Sequence, residues 1–327
     1  MHFLLLWRSQ SWGAARIVIM DKVLVTGGLG VVGSALVRRL QQLASHVSVL
    51  DLAAKPGTAD CGDIRDPETV SNAFKHVCGV LHLAAVSRVG WGEEDPAKCL
   101  SVNVAGTEAV LTAALSSARR PWVLFVSSRE VYGNPIRLPV VEDDAIAPVN
   151  TYGRSKAEGE KLVSTARQNG LTAACLRLPS VYGSTSDIPD RVIPAFARGA
   201  MSGKALRITG ADQLCDFLHV SDAVEGLVAM ATRLDRDGRS PPTVHLASGR
   251  GTSLGELARL VTQLAGSRSP IIEEAARAFD VRGFVGNPAR ARAELDWRPT
   301  VELESGLLQL IKDFKNERFG GGALKVS

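Results

Sequence analysis

Short apolar runs rich in β-branched residues alternate with amphipathic stretches from residue 22 onward. The runs that predict strands are Val23–Thr26, Val47–Leu50, Gly79–Leu83, Trp122–Ser127 and Thr172–Arg177. Helical spacing predicts helices at Val32–Leu43, Pro67–Phe74 and Thr151–Asn169. The strands are apolar enough to be buried on both faces of a sheet. This alternation predicts an α/β fold built on a doubly wound parallel sheet.

The regular alternation ends after Pro179, where prolines and glycines become frequent. We therefore predict a first domain at residues 20–178 and a smaller lobe at residues 179–327, with residues 212–248 returning to the first domain. Residues 1–19 precede a second methionine, Met20, directly before the first strand. We interpret them as a leader outside the fold.

Composition narrows the class of protein. The 327 residues are 45% hydrophobic, which supports a large core and excludes a disordered or coiled-coil chain. The net charge of +4 is mild and the basic residues are scattered, so we predict no nucleic-acid partner. The apolar runs Phe3–Trp7 and Ile17–Ile19 are too short to span a membrane, and we predict no membrane partner. Five cysteines without a CxxC pair indicate neither a metal site nor a disulfide framework, which fits the cytoplasm.

A glycine-rich segment, residues 26–33, lies between the first predicted strand and the first predicted helix. Gly27 permits a tight turn, Gly30 lets the backbone approach phosphates, and Gly33 lets the helix pack closely on the strand. A dinucleotide pyrophosphate rests on a helix N-terminus at such a position. The loop therefore predicts a Rossmann-type dinucleotide site.

Acidic and small residues after later strands indicate which dinucleotide binds. Asp51 ends the second strand, where a carboxylate accepts from ribose hydroxyls and repels a 2'-phosphate. We therefore predict NAD rather than NADP. Asp63, after an expected third strand, is predicted to accept from the adenine amino group or to be a turn or helix-cap carboxylate before Pro67. The small residues of Leu83–Ala85 would let the cofactor lie against backbone.

Tyr152 and Lys156 have the spacing of a catalytic pair. Residues four apart share one face of a helix, so both side chains can face one pocket. A tyrosine has an ordinary pKa of about 10, so it needs a nearby positive charge to act as a base near neutral pH. We expect the Lys156 ammonium to lower the tyrosine pKa.

These motifs, in this order, resemble the extended short-chain dehydrogenase/reductases, in particular their nucleotide-sugar epimerase and dehydratase branch. The resemblance covers roughly Met20 to Phe314. Its further motifs are Asn103–Thr107, Ser127–Gly133, Arg177–Gly183, Asp216–Asp222, Leu246–Ser253 and Ala293–Pro299.

The resemblance implies transient oxidation of a sugar hydroxyl, with Tyr152 as the base. Lys156 would hold the ribose of the cofactor, and Ser128 would form a hydrogen bond with the reacting oxygen. Its implied cofactor contacts also include Val31, Val32, Ile64 and Asn103, and its implied substrate contacts are Ser87, Ser180, Arg191 and Arg277. The implied substrate is a nucleotide-diphosphate sugar, with a UDP-sugar preferred. The smaller lobe would bind it. A homodimer formed through the helices near Pro96–Ser117 and Thr151–Asn169 is also implied.

Several positions depart from the family pattern. Arg129 stands where related dehydratases have the acid that protonates the departing hydroxyl, whereas Glu130 stands where they have the base that acts at C5. Glu130 is alternatively a surface carboxylate paired with Arg129. Ser180 replaces an asparagine, and Cys215 replaces an arginine that holds the diphosphate. Arg277 then carries that contact alone, or Arg191 or Arg207 substitutes.

We predict an NAD-dependent nucleotide-sugar epimerase that works through a 4-keto intermediate. Glu130 motivates a second hypothesis, a dehydratase or decarboxylase that uses C5 chemistry. Cys215 motivates a third, net dehydrogenation of a sugar or a free sugar acid. A regulator that only senses the dinucleotide would need no base, so the presence of Tyr152 and Lys156 argues against it.

Overall fold

The computed structural model describes residues 20–58 and 60–320, so the predicted leader lies outside the described residues. The strands are β1 Met20–Thr26, β2 Ala44–Leu50, β3 Gly79–His82, β4 Trp122–Ser128, β5 Ala173–Leu178, β6 Ser180–Tyr182, β7 Leu206–Thr209, β8 Leu214–His219, β9 Val244–His245, β10 Gly251–Ser253 and β11 Ile271–Glu274. The α-helices are α1 Val31–Leu40, α2 Pro67–Ala73, α3 Val89–Glu94, α4 Pro96–Leu100, α5 Gly106–Ser116, α6 Thr151–Gln168, α7 Val192–Met201, α8 Val220–Asp237, α9 Leu254–Ala265, α10 Ala289–Leu295 and α11 Leu303–Gly320.

The main sheet has six parallel strands in the order β2-β1-β3-β4-β5-β9, which confirms the predicted doubly wound α/β fold. The chain runs outward from β1 to β2 and then returns to β3 on the other side of β1. Thr26, at the end of β1, aligns with Leu50 of β2 and His82 of β3. The residues that follow these strands therefore meet at one edge. Ligands of doubly wound sheets bind at such a reversal of strand order.

Helices cover both faces of this sheet. On one face α1 and α8 contribute Leu36, Leu40 and Leu227 to an apolar cluster with the strands. On the other face α5 and α6 contribute Val110 and Val163 to a second cluster. Every residue of β3, β4 and β5 is buried, as their continuous apolar sequence predicts.

A second lobe has its own core, formed by α7, α9 and α11 against two small sheets. One sheet has the strand order β10-β8-β6, and the other pairs β11 with β7. The chain crosses between the two parts more than once. Within residues 212–248, β8 lies in the second lobe, whereas α8 and β9 pack with the main sheet. Trp297, after α10, also packs there and donates from Nε1 to the Asp222 carbonyl at 2.9 Å.

Several predicted elements differ in the structure. β1 and β2 each begin three residues earlier than predicted, at Met20 and Ala44. The first helix ends at Leu40 rather than Leu43, because the chain turns over the next residues to begin β2 at Ala44. The third strand expected before Asp63 is wrong: Cys61 makes only an isolated bridge to Asp51. Pro56 and Gly57 interrupt that segment with turns, so no continuous register forms.

The stretch Pro96–Ser116 is, by length and composition alone, apolar enough to cross a membrane. In the fold it comprises α4, a π-helical segment at Ser101–Ala105, and α5. Its Val110, Leu111 and Ala114 are buried in the core beside the sheet. These contacts place α5 in the core beside the main sheet.

Candidate active site

A cavity of about 970 Å³ opens at the carboxyl edge of the main sheet and extends to the second lobe. All but one of the predicted site residues line it. They are Gly27, Gly30, Val31, Val32, Gly33, Asp51, Asp63, Ile64, Leu83, Ala84, Ala85, Ser87, Ser128, Glu130, Tyr152, Lys156, Ser180, Arg191 and Arg277. Asn103 is buried behind the wall, where it bonds the Val86 backbone and the Ser155 hydroxyl. A direct contact between Asn103 and a ligand in this cavity is therefore not supported.

The glycine loop is tightly folded against the end of β3. Gly27 has a φ of +72°, and a Cβ there would lie 2.6 Å from the Ala84 backbone nitrogen. A Cβ at Gly33 would lie 2.1 Å from the Gly27 carbonyl oxygen. Gly30 is the N-cap of α1 and offers no side chain to the first-turn amides. These amides remain available to an anion at the positive end of the helix.

Asp51 connects the end of β2 to this loop. Its carboxylate accepts from the Leu29 and Ala53 amides, both at 2.8 Å. Asp63 behaves differently, because Arg65 binds its carboxylate through Nε at 3.0 Å and holds its pKa below the usual range. The helix-cap carboxylate before Pro67 is Asp66, which accepts from two amides of α2. Asp63 is therefore not the cap, and its contact with the adenine stays a prediction.

A buried histidine supports the glycine loop, a role that the sequence did not indicate. His82 Nδ1 lies 2.6 Å from the Thr26 hydroxyl, and its Nε2 lies 3.0 Å from the Thr107 hydroxyl. Thr107 donates to the Asn103 carbonyl, so Nε2 of His82 donates and Nδ1 accepts. Burial lowers the pKa of His82 to about 3, which keeps the ring neutral. The Ala84 amide donates to Thr26 and completes the chain of hydrogen bonds.

The tyrosine and lysine lie on α6, as predicted. The Asn150 side chain caps this helix by accepting from the Gly153 amide at 2.7 Å. Burial raises the pKa of Tyr152 to about 12, against a hydrogen bond with Ser128 that lowers it. Ser128 accepts from the Glu130 amide, which leaves its hydroxyl proton for the phenolic oxygen.

Lys156 contacts the backbone and an aromatic ring of β4. Its Nζ donates to the Val126 carbonyl at 2.9 Å and lies 4.9 Å from the centre of the Phe125 ring. Burial lowers the pKa of Lys156 itself to about 8. Desolvation is the largest influence on both groups, raising the pKa of the tyrosine and lowering that of the lysine. A lowering of the tyrosine pKa by the Lys156 ammonium stays a prediction.

Glu130 is buried beside the tyrosine rather than on the surface. Its Oε1 lies 3.0 Å from Nη2 of Arg129, and its Oε2 accepts from the Asn150 side chain at 2.8 Å. The pairing with Arg129 is therefore present, but its surface location is wrong. Both residues line the cavity.

The opposite end of the cavity belongs to the second lobe. Arg191 donates weakly to the Ser87 carbonyl at 3.4 Å, and Arg277 pairs with Asp280 at 2.9 Å. Arg207 pairs with Glu274 at the surface. Sequence reasoning missed the ion pair between Arg88 and Asp190, at 2.7 Å, which joins the two sides of the cavity. No motif indicates that pair, because its partners are brought together only by tertiary packing.

The strand order, the glycine loop and the Tyr152–Lys156 helix together define an NAD-dependent enzyme of the short-chain dehydrogenase/reductase type. The chain matches the model of the NAD dependent epimerase/dehydratase family over residues 23–245. It belongs to this family.

The relatives include epimerases and a dehydratase. UDP-glucose 4-epimerase of Streptomyces lividans is 32% identical over 304 residues, which are 85% of this chain and 92% of that protein. The structure of MoeE5 with UDP-glucose and NAD is 29% identical, has a TM-score of 0.83 and covers 91% of this chain and 99% of its own. The dTDP-glucose 4,6-dehydratase DesIV of Streptomyces venezuelae, solved with NAD, is 26% identical with a TM-score of 0.83, covering 91% and 98% of the two chains.

Proposed function

We propose that this protein is a 4-epimerase of nucleotide sugars that uses bound NAD and takes a UDP-sugar as its substrate. The observation that carries the proposal is the meeting of Tyr152, Ser128 and Lys156 on one wall of a cavity that also holds the glycine loop. The named epimerase relatives and the UDP-glucose bound by MoeE5 support this choice.

The residues present fit NAD. A Cβ at Gly27 would collide with the Leu83–Ala84 backbone, and one at Gly33 with the Gly27 carbonyl, so the glycines allow the tight turn that a pyrophosphate needs at the start of α1. Asp51 would accept from the adenosine ribose and disfavour a 2'-phosphate. The neighbouring Val31, Val32, Ile64 and Leu83–Ala85 would contact the rest of the cofactor, and Asp63 the adenine. NAD, when bound, accepts a hydride and gives it back.

The chain's own residues would move the proton and hold the sugar. Tyr152 takes the proton of the C4 hydroxyl and returns it to the 4-keto sugar, while Ser128 forms a hydrogen bond with the C4 oxygen. Lys156, with a pKa of about 8, is mainly protonated at neutral pH and stabilises the phenolate that forms. Ser87, Ser180, Arg191 and Arg277 would hold the sugar and the diphosphate.

NMR of products tests this proposal. Purified protein with NAD should interconvert UDP-glucose with UDP-galactose, or another C4 pair, without net release of NADH. A protein that interconverts none of the C4 pairs overturns the epimerase proposal. Stoichiometric NADH from a sugar acid would instead support a net dehydrogenase.

A second candidate is dehydration or decarboxylation, which the position of Glu130 favours. The carboxylate lines the cavity near Tyr152, and the related DesIV is a dehydratase. However, Arg129 and Asn150 occupy both carboxylate oxygens, so Glu130 must lose a partner before it removes a proton from C5. Solvent deuterium at C5 of the product would support this candidate, and its absence would count against it.

We further propose the division into a cofactor domain at residues 20–178 and a substrate lobe at 179–327. Of residues 212–248, α8 and β9 return to the cofactor domain. The cytoplasm is the proposed location, because the five cysteines are all free. A homodimer would form through α4, α5 and α6, where Leu100 is exposed. Light scattering tests the dimer, and Leu100→Lys should shift it toward monomer.

A further inference from the structure

Arg129 lies directly beside the proposed chemistry. It follows Ser128 and opens a 3₁₀ turn, Arg129–Tyr132, at the end of β4. Its side chain lines the cavity, although only 12% of it is exposed. The guanidinium is thus mostly withdrawn from water while it remains at the wall of the site.

One donor of this guanidinium has no partner. Nη2 binds Glu130, but among the described residues Nη1 of Arg129 is the one buried side-chain polar atom without a hydrogen bond. Arginine is charged at any pH at which the protein is folded, so this donor cannot be neutralised by losing a proton. Buried polar groups are satisfied in the great majority of structures, and each exception calls for an explanation.

The other deeply buried arginine shows how this fold satisfies a structural guanidinium. Arg177 gives Nε and Nη2 to Glu160 and Nη1 to the Tyr132 hydroxyl and the Glu142 carbonyl. All of its nitrogens are bonded within the chain. An arginine kept at position 129 only for stability would be expected to have a similar set of partners.

The carboxylates that raise the pKa of Arg129 are those of Glu130, Asp216 and Asp280, and none of them binds Nη1. Glu130 binds Nη2, Asp216 accepts from the backbone amides of Ser248, Gly249 and Gly286, and Asp280 is held by Arg277. On the second-lobe side lies Cys215, a buried thiol on the cavity wall. Burial raises the pKa of this thiol, and the Arg129 guanidinium is the strongest opposing influence. A thiol is a weak acceptor and does not satisfy a guanidinium donor.

We propose that Arg129 is a specificity-determining residue whose Nη1 donates to a negatively charged oxygen of the substrate. The inference rests on the proposed function for the ligand class, a nucleotide sugar. Such an oxygen comes from one of two sources: a carboxylate on the sugar, or the diphosphate. The position of Arg129 next to Ser128 favours the sugar.

Binding of three ligands to the NAD-saturated protein separates these sources. The probes are UDP-glucose, UDP-glucuronic acid and UDP, measured by calorimetry. Arg129→Met alone would leave Glu130 uncompensated and repel any anion. The informative variant is therefore Arg129→Met with Glu130→Gln, which keeps the local charge balanced. Arg129→Lys keeps the charge without the planar fork. Arg236→Met with Asp237→Asn removes an exposed ion pair outside the cavity and is the charge-matched control.

A hydrogen bond to a charged group predicts that the double variant weakens binding about 10- to 100-fold. Loss for UDP-glucuronic acid alone assigns the acceptor to a sugar carboxylate, and equal loss for all three ligands assigns it to the diphosphate. Arg129→Lys should fall between the parent and the double variant.

Dissociation constants within twofold of the parent for every ligand would overturn the proposal, and so would the absence of binding by the parent. Thermal unfolding of each variant shows whether the fold is retained. The epimerase proposal has a separate test. It fails if the protein binds the nucleotide sugar but does not interconvert the two C4 epimers.

Discussion

The two ends of the cavity are built on different principles. At the cofactor end, Gly27, Asp51 and Ala84 follow three neighbouring strands whose register brings their ends level. At the substrate end, Arg129, Cys215 and Arg277 come from segments far apart in sequence. The first end depends mainly on backbone shape, whereas the second depends on side chains that meet across two lobes. Backbone shape tolerates little variation, and side-chain chemistry can be exchanged position by position.

The most extensive expected effect is a collapse of the cofactor end in Gly33→Val, which would remove NAD binding and turnover together. A Cβ at this position would lie 2.1 Å from the Gly27 carbonyl oxygen, and neither backbone segment can move without displacing the loop. We expect NAD affinity to fall about 100-fold or more, as misplacement by about 1 Å can do to a site. Calorimetric titration with NAD measures it.

The control for this variant is Gly199→Ala, because a Cβ there would make only ordinary contacts, with the Leu206 side chain at 3.4 Å and the Lys204 carbonyl oxygen at 3.8 Å. It should bind NAD as the parent does. An unchanged NAD affinity in Gly33→Val would show that the shape of the glycine loop does not determine NAD binding.

Tyr152→Phe should remove the catalytic step without disturbing either end of the cavity. The phenyl ring keeps the buried volume but removes the oxygen that takes the proton, so kcat should fall about 10²- to 10⁴-fold. NAD binding should be retained. Initial rates of C4 interconversion measure the effect.

Tyr132→Phe is the matched control, since Tyr132 is also buried but bonds His245 and Arg177 away from Ser128. It should lose about 1 kcal/mol of stability and keep its turnover. If Tyr152→Phe turned over as fast as Tyr132→Phe, the tyrosine would not be the base.

Acidic pH should reduce the stability that the buried His82 ring contributes at the cofactor end of the cavity. Its folded pKa of about 3 lies below the ordinary value of 6.5, so the unfolded chain binds more protons between these values. Stability contributed by the neutral ring is therefore present above pH 6.5 and falls by about 1.4 kcal/mol per pH unit on acidification toward pH 3. Urea unfolding at several pH values measures the slope.

His82→Gln cannot titrate and should show a shallower acid slope than the parent. His46→Gln, at an exposed position in β2, should leave the slope unchanged. Equal slopes in the parent and His82→Gln would contradict the assignment of a neutral buried ring.

The smallest expected effect is at the substrate end, in Arg277→Met. This side chain is 55% exposed, so solvent screens its charge. We expect the KM for a UDP-sugar to rise about tenfold, equivalent to about 1.4 kcal/mol, with little change in kcat. Steady-state kinetics measure both constants, and Arg236→Met serves as the control. An unchanged KM would mean that another cation holds the diphosphate.

Sequence motifs predicted the cofactor end well because their spacing is local. Tyr152 and Lys156 are one helical turn apart, and Gly27, Gly30 and Gly33 occupy one loop, so secondary structure alone placed each set together. The same reasoning left open which carboxylate caps α2 and whether Glu130 faces the site or the surface. Both depend on which neighbour a carboxylate finds, and the sequence offers several candidates at similar distance along the chain.

The sequence by itself determined the strand and helix order, the glycine turn and the pairing of tyrosine with lysine, because these follow from periodicity and from steric limits on the backbone. Only the tertiary structure decided the protonation of Tyr152, Lys156 and His82, since desolvation depends on everything that surrounds a group. It alone also decided that Arg129 has a donor without a partner. Whether a buried donor has a hydrogen-bond partner depends on residues distant in sequence, which only folding brings into contact.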